Sequence, residues 1–170
     1  MLNLIIGGAG SGKSAYAEAL VLRLPGARVY LATMSARDAE SLKRIERHRA
    51  RRAPHGFLTV ERPVDLAGVQ LPGNANVLLE DLSNLLANEM FSPQGGGAEA
   101  VRRGLESLFA RCVNLTVVSN EIFSGGADFP PETLAYMKEL ALLNRELAAK
   151  CDFCAELVCS LPHILKGEEP

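Results

Sequence analysis

Tryptophan is absent from this chain of 170 residues, and aromatic residues of any kind make up only 5% of it. Charge of one sign is also lacking. A net charge of −2 gives no global attraction to nucleic acid or to an anionic membrane surface. Long hydrophobic runs are missing too: the first apolar stretch, Leu2 to Ile6, ends at once in glycines, and none approaches the length needed to cross a bilayer. Neither a secretory leader nor a membrane span is therefore expected, and the chain is assigned to the cytoplasm. Cysteine is sparse, at four residues. Cys151 and Cys154 form one CxxC, and Cys159 with His163 could complete a zinc tetrahedron on paper. No second CxxC exists, however, and Cys159 falls in an expected buried strand, so reduced thiols are the better reading. What is abundant is hydrophobic residues, at 48%, enough for a core in one domain over residues 1–166, with a frayed tail at 167–170.

The densest signal is GGAGSGKSAYAEAL from Gly7 onward. Gly7, Gly8, Ala9, Gly10, Ser11, Gly12, Lys13 and Ser14 spell the phosphate-binding P-loop, between an apolar strand and an amphipathic helix as the motif requires. Glycines let successive backbone N–H groups converge on phosphate oxygens, and the helix that follows adds its positive end. Lys13 is expected on the outer phosphates, and the Ser14 hydroxyl on Mg²⁺.

Apolar, β-branched runs predict strands at Leu2–Ile6, Arg28–Thr33, Phe57–Glu61, Val77–Glu80, Leu115–Ser119 and Glu156–Cys159. Helical patterns fall at Lys13–Leu24, Arg37–Arg52, Leu82–Phe91, Ala98–Cys112 and Pro131–Lys150. This alternation predicts an α/β fold, a mostly parallel sheet with helices on both faces. Ligands of such sheets sit beyond the carboxyl ends of the strands. There, Val77-Leu78-Leu79 runs into Glu80 and Asp81, an acidic end suited to hold Mg²⁺. Spacing does not choose between the two acids.

The segment KRIERHRARRAPHGF carries His48 among Lys43, Arg44, Arg47, Arg49, Arg51 and Arg52. A solvated basic helix is the plainer reading, and the lack of interleaved aromatics argues against a nucleic-acid patch. The functional alternative has the cations surrounding a polyphosphate. Each cation about 7 Å away disfavours imidazolium by roughly 0.6 kcal/mol at water-like dielectric. Two or three hold a histidine neutral at pH 7, with a lone pair free to attack phosphorus.

Taken in order, GGAGSGKSAYAE, Tyr30-Leu31-Ala32-Thr33, Arg44-Ile45-Glu46-Arg47-His48, Thr59-Val60-Glu61, Glu80 with Asn88, and Asn120-Glu121 carry a further signal. They resemble the bifunctional adenosylcobinamide kinase / adenosylcobinamide-phosphate guanylyltransferase family of cobalamin biosynthesis. The match is close over residues 3–91 and looser from 114 to 166. The resemblance implies a single-domain RecA-like P-loop fold that forms a homo-oligomer, a trimer. It also implies two reactions: a nucleoside triphosphate (GTP or ATP) phosphorylates adenosylcobinamide, and GMP then passes from GTP through a histidine to the phosphorylated corrinoid. By position His48 is the guanylylated residue, with Lys13 as its catalytic companion on the phosphates. Leu31, Ala32, Thr33, Glu61 and Glu80 lie near the nucleotide, and Arg49, Ala50, Arg51 and Arg52 border its phosphates. Mg²⁺ falls to Ser14 with Glu80 or Asp81.

Two departures from the family pattern stand out. Gly10 occupies a P-loop position that is usually arginine, and Asn120-Glu121 is followed by Ile122-Phe123-Ser124-Gly125-Gly126 in place of a Val-Gly-x-Gly run. Two other functions use the same residues: a P-loop kinase acting on a non-corrinoid alcohol without a histidine intermediate, and a nucleotide-binding regulatory module without turnover.

Overall fold

The computed structural model describes residues 1–35, 46, 50, 53–126 and 128–170. Seven strands form one sheet: β1 (Leu2–Gly7), β2 (Ala27–Ala32), β3 (Phe57–Glu61), β4 (Ala75–Glu80), β5 (Asn114–Asn120), β6 (Phe153–Val158) and β7 (Leu161–Lys166). Their order is β3-β2-β4-β5-β1-β6-β7. All neighbours are parallel except β7, which runs antiparallel to β6. Four helices cover the sheet among the described residues: α1 (Lys13–Arg23), α2 (Leu82–Phe91), α3 (Gly97–Arg111) and α4 (Pro131–Lys150). The α/β class with a mostly parallel sheet is as the alternation predicts. The helix expected over Arg37–Arg52 falls almost wholly outside the described residues; Glu46 and Ala50, which are described, have helical backbone and are exposed.

Adjacent strand residues point to opposite faces, and the core divides accordingly. Leu4, Leu31, Leu79 and Val117 pack with Leu82, Leu86, Leu105, Leu108 and Leu143 of α2, α3 and α4. Their chain neighbours Ile5, Tyr30, Leu78 and Val118 pack on the other face with Ala17, Leu20 and Val21 of α1, and with Phe153. Each fully buried Leu, Ile or Phe contributes about 1.5–3 kcal/mol relative to exposure. Near-continuous apolar strands are the consequence of a sheet covered on both sides.

One expectation is corrected at the carboxyl-terminal end. The strand read as Glu156–Cys159 spans Phe153–Val158, and Cys159 lies beyond it, exposed. A hairpin turn through Cys159 (φ 50°) and Ser160 (φ 64°) then leads into β7. Two successive left-handed residues suit a tight two-residue hairpin, but that turn is normally announced by Asn-Gly, so Cys-Ser gave no signal. The tail expected to fray also has contacts: Glu169 accepts hydrogen bonds from Tyr16 Oη (2.9 Å) and Arg23 Nη2 (2.5 Å) of α1.

The Cys151 and Cys154 thiols lie against each other, and Cys159 is in the hairpin turn. Cys151 and Cys154 are buried, Cys159 is exposed, and burial raises the thiol pKa of both buried residues, Cys154 to about 11. No group of three or more His, Cys, Asp or Glu suited to a metal occurs among the described residues.

Candidate active site

The P-loop joins β1 to α1, and its glycines answer local sterics. A Cβ on Gly7 would stand 2.5 Å from Ser11 Oγ and 2.8 Å from Leu157 O. Gly12 sits at φ 92°, where a Cβ would meet Ser160 Oγ at 2.5 Å. The hairpin turn missed in the sequence therefore packs on the loop, and Ser160 N donates to Ser11 O at 2.8 Å. Gly12 caps α1 without a side-chain bond, as a residue with no side chain must. Lys13 is buried and its Nζ donates to Gly8 O at 3.1 Å, holding the ammonium along the loop.

Glu80 ends β4, two strands from β1, and the Ser14 hydroxyl donates to its Oε1. Thr33, just past β2, fastens this acid from below. Its N–H donates to Glu80 O at 3.0 Å, and its Oγ1 accepts from Asp81 N at 2.8 Å. Asn88 Nδ2 holds Thr33 O in turn, at 2.7 Å. Asp81 is engaged differently: its carboxylate caps α2, accepting from Ser83 Oγ (2.6 Å), Asn84 N (2.7 Å) and Asn84 Nδ2 (3.0 Å). Asn120 Nδ2 donates to Ser83 Oγ and so brings the end of β5 into the same network.

Ser14, Glu80, Asp81, Asn84 and Asn120 border a cleft of about 610 Å³ beyond the carboxyl ends of the strands. Ala9, Gly10, Lys13, Ser14, Ala32, Glu80 and Asp81 line it, and all seven were expected from the sequence. Gly7, Gly8, Ser11 and Gly12 build the loop beneath. Three other expectations fall elsewhere. The Leu31 side chain is sealed in the core, because strand alternation turns it away from the face that Ala32 shares. Thr33 is fully buried, with its hydroxyl committed to the Glu80–Asp81 backbone. Glu61 ends β3, exposed, beside Ala32 and outside the cleft lining. His48, Arg49, Arg51 and Arg52 lie outside the described residues.

Tyr30, Met34, Asn84, Asn120, Glu121 and Ile122 also line the cleft, although none was put forward as a site residue. Asn120 and Glu121 could have been found by following the strand-end rule past Ser119. Tyr30 stands in the Tyr30-Leu31-Ala32-Thr33 run, and Met34 follows that strand with no mark of its own.

A mostly parallel sheet, a glycine loop whose lysine folds over it, and a serine–carboxylate pair at the loop's end define an α/β protein of the P-loop class. Residues 3–165 match the family described as cobinamide kinase / cobinamide phosphate guanyltransferase, and the chain belongs to that family. It is 35% identical over 175 residues to the bifunctional adenosylcobalamin biosynthesis protein CobP of Pseudomonas aeruginosa, with 99% of each chain covered. It is 33% identical over 168 residues to the bifunctional adenosylcobalamin biosynthesis protein CobU of Escherichia coli, covering 88% of this chain and 91% of that one. The CobU of Salmonella typhimurium is 32% identical over 171 residues, covering 89% and 92% respectively.

Proposed function

We propose that this protein phosphorylates adenosylcobinamide with a nucleoside triphosphate and then transfers GMP from GTP to the product through a guanylylated His48. The observation that carries the reading is the meeting of Lys13, Ser14 and Glu80 at one cleft in a chain of this family. The P-loop N–H groups and the start of α1 are suited to the triphosphate, and Lys13 to the oxygens whose charge grows as a phosphorus–oxygen bond breaks. Ser14 and Glu80 are a hard oxygen pair, already in contact, and Mg²⁺ characteristically takes one or two such protein ligands and fills the rest with water and phosphate. There it would neutralise phosphate charge. Asp81, held by its three donors, acts as a helix cap in this assignment rather than as a metal ligand.

His48 displaces pyrophosphate at the α-phosphorus of GTP, and the corrinoid phosphate then displaces the histidine, giving adenosylcobinamide-GDP. Arg49, Arg51 and Arg52, with Ala50 between them, border the departing phosphates. The protein works in the cytoplasm, consistent with the absence of any helix long and apolar enough to cross a membrane among the described residues. It assembles as a homotrimer; Leu161, Ile164 and Leu165 leave the edge strand β7 with an exposed apolar border suited to a second copy.

Brief incubation with α-³²P GTP and Mg²⁺, followed by denaturing electrophoresis, tests the reading. Acid-labile, base-stable label on the wild type that is missing from His48→Ala and much reduced in Lys13→Ala is the expected result. An unlabelled wild type that still moves γ-phosphate to an alcohol would replace it with a kinase-only function. Saturable GTP binding without any transfer would point to a regulatory module.

A further inference from the structure

Among the described residues three carboxylates line the cleft: Glu80, Asp81 and Glu121. Glu80 is bonded to Ser14 at the metal position, and Asp81 holds three donors at the start of α2. Glu121 is placed differently. It follows β5, the strand between β1 and β4, and so stands between the phosphate loop and Glu80. Its N–H donates to Gly7 O at 3.0 Å, which ties it to the first residue of the P-loop. Each carboxylate oxygen accepts one bond from its own loop, Oε1 from Phe123 N at 2.8 Å and Oε2 from Ser124 Oγ at 3.0 Å. These two donors fix the direction of the carboxylate. A carboxylate has about four acceptor sites, so accepting these two bonds leaves capacity for a proton.

We propose that Glu121 is the general base of the kinase half-reaction, an assignment that rests on the function proposed above. The acceptor there is an alcohol, which must lose its proton as it attacks. The hydroxyl oxygen bonds to the γ-phosphorus while its proton passes to Glu121. The bond from the γ-phosphorus to the bridging oxygen breaks, and the nucleoside diphosphate leaves with that electron pair. The proton then leaves Glu121 for solvent. In the guanylyl transfer the attacking group is a phosphate monoester, already anionic at neutral pH, and no base is needed. One residue therefore separates two reactions of the same cleft.

The test compares the two halves in the full chain with Mg²⁺: γ-³²P transfer to cobinamide, and α-³²P GMP transfer to preformed cobinamide phosphate. Glu121→Gln is expected to slow the first by about 100-fold or more, the usual worth of a positioned base, with little change in nucleotide KM. The second should stay within a few-fold of wild type. Glu121→Asp, which keeps a shorter carboxylate, is expected to recover part of the kinase rate and also serves if the Gln variant does not fold. Equal losses in both halves would make Glu121 a structural residue, and an unimpaired kinase half would remove it from the chemistry. If the wild type phosphorylates no cobinamide, the functional reading itself fails and takes this inference with it.

Discussion

Ser14 and Glu80 are bonded to each other although the strands that deliver them are not neighbours. Ser14 follows β1, Glu80 ends β4, and β5 runs between the two. The contact is possible because parallel strands end at one side of the sheet and the P-loop arches back over those ends. Asp81, next in the chain, turns to the helix instead. Adjacent carboxylates thus have separate duties.

The two acids are accordingly expected to fail differently. Glu80→Gln should raise the Mg²⁺ concentration needed for half-maximal rate and lower kcat by a factor of about 100, the scale of one lost electrostatic contact to a reacting phosphate. Its melting temperature should change little. Asp81→Ala should cost about 1 kcal/mol through loss of the cap, or about 2–4 °C in Tm for a chain of this size. Magnesium titrations and thermal melts of both variants check this; a Mg²⁺ defect confined to Asp81→Ala would reverse the assignment.

Glu89 is buried in α2 and fastens two loops, accepting from Asp65 N at 2.6 Å through Oε1 and from Gly96 N at 2.7 Å through Oε2. Hydrogen bonds to a charged group contribute about 1.5–3 kcal/mol each. Glu89→Ala should therefore destabilise by roughly 3 kcal/mol or more, while nucleotide affinity at low temperature stays close to wild type. Urea unfolding beside a nucleotide titration separates the two effects, and a stable variant with weakened binding would contradict it.

Tyr136, on α4, donates its hydroxyl to Ser83 O at 3.1 Å. Burial first, and then the Asp81 charge, push its pKa from 10 up to about 12. The phenol is thus kept protonated by folding. Its contribution is complete below pH 10 and declines as pH rises from 10 towards 12, because the unfolded chain releases the proton first. Tyr136→Phe should flatten the fall in stability over that window by about 1–2 kcal/mol, the scale of a shift of this size in a half-buried group. Denaturant midpoints at pH 9 and pH 11.5 provide the measurement; an unchanged slope would place the alkaline sensitivity elsewhere, for instance at Tyr16, which is raised to a similar value.

Much of this was legible from local chemistry. The P-loop is written in contiguous residues because its chemistry is backbone N–H groups in one short loop, so Gly7 to Ser14 could be named without knowing the fold. Strand and helix alternation fixes the class because burial on both faces demands apolar strands such as Leu2–Gly7 and Ala75–Glu80. β7 was missed because its side chains are exposed and its turn uses Cys159-Ser160, where neither periodicity nor turn chemistry speaks. The Tyr30-Leu31-Ala32-Thr33 run marks Thr33, but not that its hydroxyl meets the backbone at Glu80 and Asp81, 47 and 48 positions away in sequence.

By itself, then, the sequence determined the phosphate loop, the α/β class and the candidates for metal and nucleophile, since each depends on residue type and near spacing. Only the tertiary structure decided which acid meets Ser14, that Leu31 and Thr33 face inward, and that Glu121 stands at the cleft. Those outcomes depend on strand order and on which way each strand end points. Both are set by packing the whole sheet, which no local stretch of residues encodes.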